Sequence, residues 1–174
     1  MILETERLCL REMTRADYPG LCKILQDPEV MYAYEHAFSD QEAHDWLERN
    51  LQRYEEDGFG LWSVILKQTG EMIGQCGLTM QNVGGRRVLE VGYLFQKAFW
   101  HHGYAAEAAI ACKQYAFEKL DAPEVFSIIR DSNTASQNVA RRNGMVVRET
   151  FVKHYYGIDM PHLLFSVRRD EAGE

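Results

Sequence analysis

The stretch Glu90–Ala109, EVGYLFQKAFWHHGYAAEAA, constrains this chain more than any other. Its first residues are mostly β-branched, aromatic or aliphatic and predict a strand; a polar connection follows, and Gly103 opens an alanine-rich helix. A strand that turns tightly into a helix leaves the first helical amides without internal partners. They point out of the N-terminus along a dipole that favours negative charge, so the turn suits an anion such as a phosphate. A single glycine at a helix start equally serves plain strand-to-helix packing.

The elements around this stretch follow from periodicity. Arg7 to Met13 alternates, with Leu8 and Leu10 on one face, and reads as a strand. Asp17 is the expected N-cap of a helix carrying Pro19 in its first turn and ending at Asp27-Pro28. Ser39-Asp-Gln-Glu42 is a capping box, and Ala43, Trp46, Leu47, Asn50, Leu51 and Tyr54 trace one stripe up to Gly58. Between these helices, Val30 to Phe38 is a loop or short helix whose Tyr32, Tyr34, Glu35 and His36 form either a substrate wall or a solvated connection.

Three antiparallel strands are expected next: Leu61–Lys67, Met72–Met80 and Val88–Phe95, joined by turns at Gln68–Glu71 and Asn82–Arg86. The helix after Gly103 reaches about Leu120 and stops before Pro123. Glu124–Arg130 is a strand, and Asp131–Ser136 caps a short helix ending at Asn143-Gly144. Met145–Tyr155 and His162–Arg168 then read as a last antiparallel pair around the turn Gly157–Pro161. The order is β-α-α-β-β-β-α-β-α-β-β.

With 174 residues, 46% of them hydrophobic, the chain has enough apolar side chains for one core, and 1–174 is expected to be a single domain with a frayed tail at 170–174. A formal charge of −7 argues against nucleic acid or an anionic membrane as a general partner, and by itself suits a cationic or amine substrate. Cys9, Cys22, Cys76 and Cys112 lie far apart in apolar surroundings, and read as buried free thiols of a reducing compartment. No apolar run reaches signal-peptide or membrane-spanning length, so a cytoplasmic location is expected.

At this point the chain resembles the GNAT N-acetyltransferase family over nearly its whole length, and within it the ribosomal-protein N-terminal acetyltransferase (RimJ/RimL-like) branch. Trp100-His-His-Gly103-Tyr-Ala105 is similar to the family's acyl-CoA loop. Asn133-Thr-Ala-Ser136 with Val139-Ala-Arg-Arg-Asn-Gly144-Met145 resembles the branch's second motif, and Glu4-Thr-Glu-Arg-Leu8 with Arg11 and Asp27-Pro-Glu-Val30 resembles its N-terminus. The sequence departs from the pattern at three positions. Trp100 replaces the commoner Gln or Arg, His101 replaces a usual glycine, and Ala140 stands where many members carry a tyrosine that protonates the departing thiolate.

The resemblance implies an α/β (α+β) fold with a mixed, mostly antiparallel central sheet of about seven strands flanked by helices. It implies transfer of acetyl from acetyl-CoA, as co-substrate and without a metal, by direct attack of an amine. Backbone amides of His101, His102, Gly103, Tyr104, Ala105 and Ala106 would cradle the pyrophosphate. Leu94 and Phe95 would pair with the pantetheine arm, Asn133 would hydrogen-bond it, and an amide near Leu94 would polarise the carbonyl. Glu90 is the candidate base, or else an edge-strand carboxylate balancing Arg86 or Arg87. Ser136 would relay a proton to the thiolate, or is part of the helix cap.

Tyr34, Glu35 and Tyr156 are candidates for the acceptor side. A zinc reading of His101 and His102 lacks a clustered third ligand. The acceptor is expected to be a peptide or protein N-terminal α-amine; a polyamine, amino acid derivative or aminoglycoside is the enzymatic alternative, and a non-catalytic acyl-CoA-binding module the other. A monomer or homodimer is expected.

Overall fold

The computed structural model describes residues 1–155 and 157–172. Its strands are β1 (Leu3–Glu4), β2 (Leu8–Arg11), β3 (Leu61–Leu66), β4 (Met72–Val83), β5 (Arg86–Phe95), β6 (Glu124–Arg130), β7 (Val146–Tyr155) and β8 (Ile158–Arg168). The helices are α1 (Tyr18–Leu25), α2 (Asp40–Glu56), α3 (Tyr104–Lys119) and α4 (Thr134–Arg142), with single 3-10 turns at 15–17, 32–34 and 97–99. The strands form one sheet in the order β1-β2-β3-β4-β5-β6-β8-β7, and every adjacent pair is antiparallel except β5–β6. The fold is thus the expected mixed α/β sheet, with one strand more than the sequence suggested. That strand, β1, is two residues long and has no period to detect.

Local chemistry explains the boundaries. The box at the start of α2 closes in both directions, Glu42 N donating to Ser39 Oγ at 3.2 Å and Ser39 N to Glu42 Oε1 at 3.0 Å. Gly84 and Gly85, at φ +56° and +78°, make the tight β4–β5 turn, so both strands run further than expected. Asp17 occupies the cap position of α1 but makes no cap bond. Its carboxylate turns back to accept from Arg11 at 2.7 and 2.8 Å, Thr14 N at 2.9 Å and Ser63 Oγ at 3.1 Å. A buried carboxylate needs a charged partner more than a helix needs one cap. Burial raises the Asp17 pKa, and these bonds outweigh it and hold the group below its usual range.

The last hairpin also differs from expectation, because Gly157 carries a positive φ and β8 starts directly after it at Ile158. Pro161 lies inside that strand. Its carbonyl accepts from Asp131 N beyond the end of β6, and a strand residue's N and C=O face the same side, so its missing N–H falls past the last β6 residue.

Helices cover both faces of the sheet. Ala108, Ala109, Cys112 and Ala116 of α3 are fully buried with Trp62, Cys76, Leu78, Val91 and Phe165. α1 and α2 pack Leu21, Ile24, Leu25, Ala43 and Leu47 with Leu61 and Met72. Cys76 and Cys112 are buried free thiols whose sulfurs lie 3.7 Å apart, whereas Cys9 and Cys22 are only half-buried. No helix among the described residues is long and apolar enough to cross a membrane.

Candidate functional site

The site forms where β5 and β6 separate. Their parallel pairing is registered at Glu90↔Phe126. The next rung of a parallel ladder would join Ile128 N–H to the Val91 carbonyl. Instead Ile128 N donates to the Glu90 carboxylate at 2.7 Å, and the Val91 carbonyl accepts from Ser127 Oγ at 2.7 Å. Both backbone groups of that missing rung thus have a side-chain partner, as a buried polar group requires. Beyond this broken rung a cavity of about 250 Å³ opens, lined by both strands, the start of α4, the 30–34 segment and one face of α2.

Glu90 faces this cavity. Burial raises its pKa to about 7, against the opposing pull of the Ile128 amide, Lys153 and Arg53. Arg86 is paired elsewhere, with Glu149 at 3.1 Å, and among the described residues Glu90 makes no ion pair with Arg86 or Arg87, the alternative role considered for it. The structural role of Glu90 is to cap the broken rung.

The register of β4 against β5 fixes which backbone groups face the gap. Val91 O points to β6 and Gln96 N points to Ile73 of the β4 side, so along the regular ladder the polar groups of Tyr93 and Phe95 turn towards the gap. Those of Leu94 turn towards β4, and only its side chain reaches the cavity. The Phe95 carbonyl accepts from Trp100 Nε1 at 3.0 Å, which gives Trp100 a structural role. Tyr93 therefore turns its amide to the opening and lines the cavity, one position before Leu94, which the sequence reading named together with Phe95.

Asn133 and Ser136 meet the cavity at the start of α4. Asn133 Oδ1 caps the helix by accepting from Ser136 N at 3.2 Å, and it also accepts from the Tyr32 hydroxyl at 2.8 Å. These bonds leave the Asn133 amide nitrogen as its available donor. The Tyr93 phenol donates to the Ser136 carbonyl at 2.7 Å, and burial pushes its pKa far up, so it stays protonated. Ala140, in place of the expected tyrosine, is 1% exposed in the core.

The anion turn at the start of α3 is separate from the cavity. Gly103 has φ +80° and His101 φ +66°, both left-handed, and the side chains of His101 and His102 are exposed. In a helix the amides of Tyr104, Ala105 and Ala106 have no internal acceptor. The N-terminal motif clamps this turn. Glu107 accepts from Thr5 Oγ at 2.6 Å, Arg7 N at 3.0 Å and Arg7 Nε at 2.7 Å, while Arg7 Nη1 donates to the His102 carbonyl at 3.0 Å and its guanidinium lies 4.4 Å from the Tyr104 ring centre.

On the acceptor side, Tyr34 lines the cavity. Glu35 does not; it holds Arg130 in an ion pair of 2.6 Å. Tyr156 lies outside the described residues. Sequence reasoning missed Gln75, Arg49, Arg53, Tyr93, Arg130 and Lys153, all of which line the cavity. No sequence motif marks the arginines of α2; the spacing of Trp46, Arg49 and Arg53 at i, i+3 and i+7 is the signal that puts them on one helix face.

The acetyltransferase (GNAT) domain model matches residues 7–146. The chain is 36% identical over 152 residues to the uncharacterized protein YkkB of Bacillus subtilis (strain 168), covering 87% of this chain and 88% of that one. It is 34% identical over 136 residues to the uncharacterized N-acetyltransferase p20 of Bacillus licheniformis, covering 77% and 76%. Among solved structures, a GNAT-family acetyltransferase from Bacillus anthracis superposes with a TM-score of 0.83 at 20% identity, covering 97% and 98%. RimL, a ribosomal L7/L12 α-N-protein acetyltransferase in complex with coenzyme A, gives 0.78 at 17%, covering 98% of each chain. Spermidine N-acetyltransferase from Vibrio cholerae, in complex with CoA and spermine, gives 0.79 at 16%, covering 98% and 100%.

Proposed function

The chain belongs to the acetyltransferase (GNAT) family, and on that premise we propose that it transfers acetyl from acetyl-CoA to a primary amine, foremost the α-amine of a peptide or protein. The observation that carries this reading is the broken rung between β5 and β6: a gap with a free strand edge, a carboxylate titrating near neutrality at one end and a helix N-terminus at the other.

The residues present suit acetyl-CoA. The free α3 amides with Gly103 at positive φ offer a pyrophosphate cradle, with Arg7 beside it. The Tyr93 backbone and the Asn133 amide nitrogen, which both line the cavity, would hydrogen-bond the amide groups of a pantetheine arm. When bound, acetyl-CoA supplies an activated acyl carbon and a thiolate leaving group. The Tyr93 amide is oriented to polarise a carbonyl held in the gap. Glu90 takes the ammonium proton, directly or through water, which frees the nitrogen lone pair for attack. Ser136 and the Tyr93 phenol are the hydroxyls at the far end, where the sulfur must be protonated.

An α-amine, with a pKa of about 8, needs less help from a base of pKa about 7 than a lysine at about 10.4. The similarity to RimL supports this choice, and the similarity to spermidine acetyltransferase keeps a small amine as the second reading.

The test is thiol release from acetyl-CoA with a peptide panel, as a function of pH. The wild-type kcat/KM should rise as Glu90 ionises near pH 7. Glu90→Gln keeps an acceptor for Ile128 N, so it should fold, lose about 100-fold or more in rate and lose that inflection. A Gln variant with unchanged rate and pH profile would remove Glu90 as the base.

A further inference from the structure

The cavity wall differs in charge from the molecule as a whole. Against a net charge of −7, the cavity is lined by Arg49, Arg53, Arg130 and Lys153, with Glu90 as its only carboxylate among the described residues. Arg130 is balanced by Glu35 at 2.6 Å. Arg53 is not so balanced. It is half-buried, its one side-chain hydrogen bond is a long 3.4 Å contact to Asn50 Oδ1, and among the described residues neither it nor Arg49 has a carboxylate at ion-pair distance. Burial and the neighbouring Arg49 depress the Arg53 pKa and outweigh the opposing pulls of Glu90, Asp57 and Tyr34, so its charge is held at a cost that a closer anion in the cavity would offset. Like charges four residues apart on a helix face weaken that helix further.

Gln75 supplies an independent observation. It is 0% exposed, lines the cavity from β4, and has a buried Nε2 with no hydrogen-bond partner. Its orientation is fixed by chemistry: Trp46 Nε1 is a donor only and lies 2.9 Å from Gln75 Oε1, so the side-chain oxygen must face Trp46 and the NH2 must face the other way. A buried, unpaired donor of this kind costs stability unless a ligand acceptor completes it.

We propose that the acceptor is an amine carrying a carboxylate near its nitrogen, with Arg53, assisted by Arg49 and the Gln75 amide, binding the carboxylate while Glu90 receives the ammonium. Trp46, Arg49 and Arg53 share one face of α2, and Gln75 is the direct cross-strand partner of Leu94, two residues along the same β5 face from Gly92 and four from Glu90. The two ends of an amino-acid-like group thus meet opposite charges. A polyamine would instead bring extra positive charge to a wall already cationic. This inference rests on the acetyltransferase reading and narrows its substrate.

The experiment compares kcat/KM for peptides beginning with Asp or Glu, their Asn or Gln counterparts, free aspartate and glutamate, and spermidine, using wild type, Arg53→Gln, Arg53→Lys and Arg49→Gln. Acidic acceptors should exceed their amide counterparts by about tenfold or more. That ratio should collapse towards one in Arg53→Gln, recover in part in Arg53→Lys, and fall several-fold in Arg49→Gln, where the exposed site carries little risk to folding. Activity on the free amino acids but not the peptides would assign the carboxylate to a small molecule, and the reverse to an acidic N-terminus; either supports the inference. Equal or better use of neutral amines or spermidine, or a ratio unaffected by both Gln variants, would overturn it and leave the acetyltransferase reading standing. If CoA raises the melting temperature yet no amine is acetylated, both fall together.

Discussion

His101 sits at φ +66°, a left-handed conformation that costs a residue with a Cβ about 1–2 kcal/mol, in a turn where the family pattern leads one to expect glycine. Its side chain is exposed, so packing does not repay that cost. A glycine there gives back about 0.5–1 kcal/mol in backbone entropy, so His101→Gly should raise stability by up to about 1 kcal/mol in urea denaturation. CoA affinity, measured by calorimetry, should be equal or higher, because the backbone amides and not the imidazole are proposed to hold the phosphates. A severalfold weaker affinity would instead assign the imidazole a direct phosphate contact. The same turn shows how a motif acquires a physical reason: Thr5 and Arg7, recognisable from sequence only as a familiar N-terminus, fix Glu107 and the His102 carbonyl beside the anion turn.

At the level of elements, the paired glycines Gly77 and Gly92 of β4 and β5 separate packing from function. A Cβ on Gly92 would meet only Leu61 Cδ2 at 3.5 Å, an ordinary contact at the cavity wall, whereas one on Gly77 would lie 2.1 Å from the Gly60 carbonyl oxygen. Gly92→Ala should therefore melt at or slightly above the wild-type temperature while kcat/KM for the acceptor falls about tenfold. Gly77→Ala should lose about 3 kcal/mol or more of stability, the cost of a backbone clash in a packed sheet. A Gly92→Ala enzyme with undiminished turnover would mean that the acceptor does not pass over that strand. Elements whose signals are local were legible in the sequence: the capping box of α2, the Gly103 start of α3, the order of strands. β8 was misread because Gly157 to Pro161 has turn composition, and only the length of β6 makes a proline tolerable in the strand. Leu94, named with Phe95 for the backbone edge facing the gap, turns towards β4 instead, for a related reason. Its phase is set by pairing with β4, and no single strand's sequence contains that phase.

For the whole molecule, net charge was a poor guide to the cavity, since −7 is spread over the surface while the cations of α2, β6 and β7 converge on one hollow. The same convergence around one buried carboxylate links proposed activity to stability. Glu90 is raised from 4.5 to about 7 in the folded state, so between those pH values the folded protein binds more protons than the unfolded one. Stability must then fall with rising pH across that window, by on the order of 3 kcal/mol for a shift of this size. Glu90→Gln removes the titration and keeps the Ile128 bond. Its melting temperature should therefore lie several degrees above wild type at pH 8, with the gap closing towards pH 4.5, where the wild-type carboxyl is neutral as well. A variant that becomes more stable than its parent as the pH rises above about 4.5, and is slow in catalysis at every such pH, is what a base held in a desolvated site at the protein's expense requires. If instead Glu90→Gln were less stable at every pH, the carboxylate would be a net stabilising partner of Arg53 and Lys153, and the ion pair rather than proton transfer would account for its position.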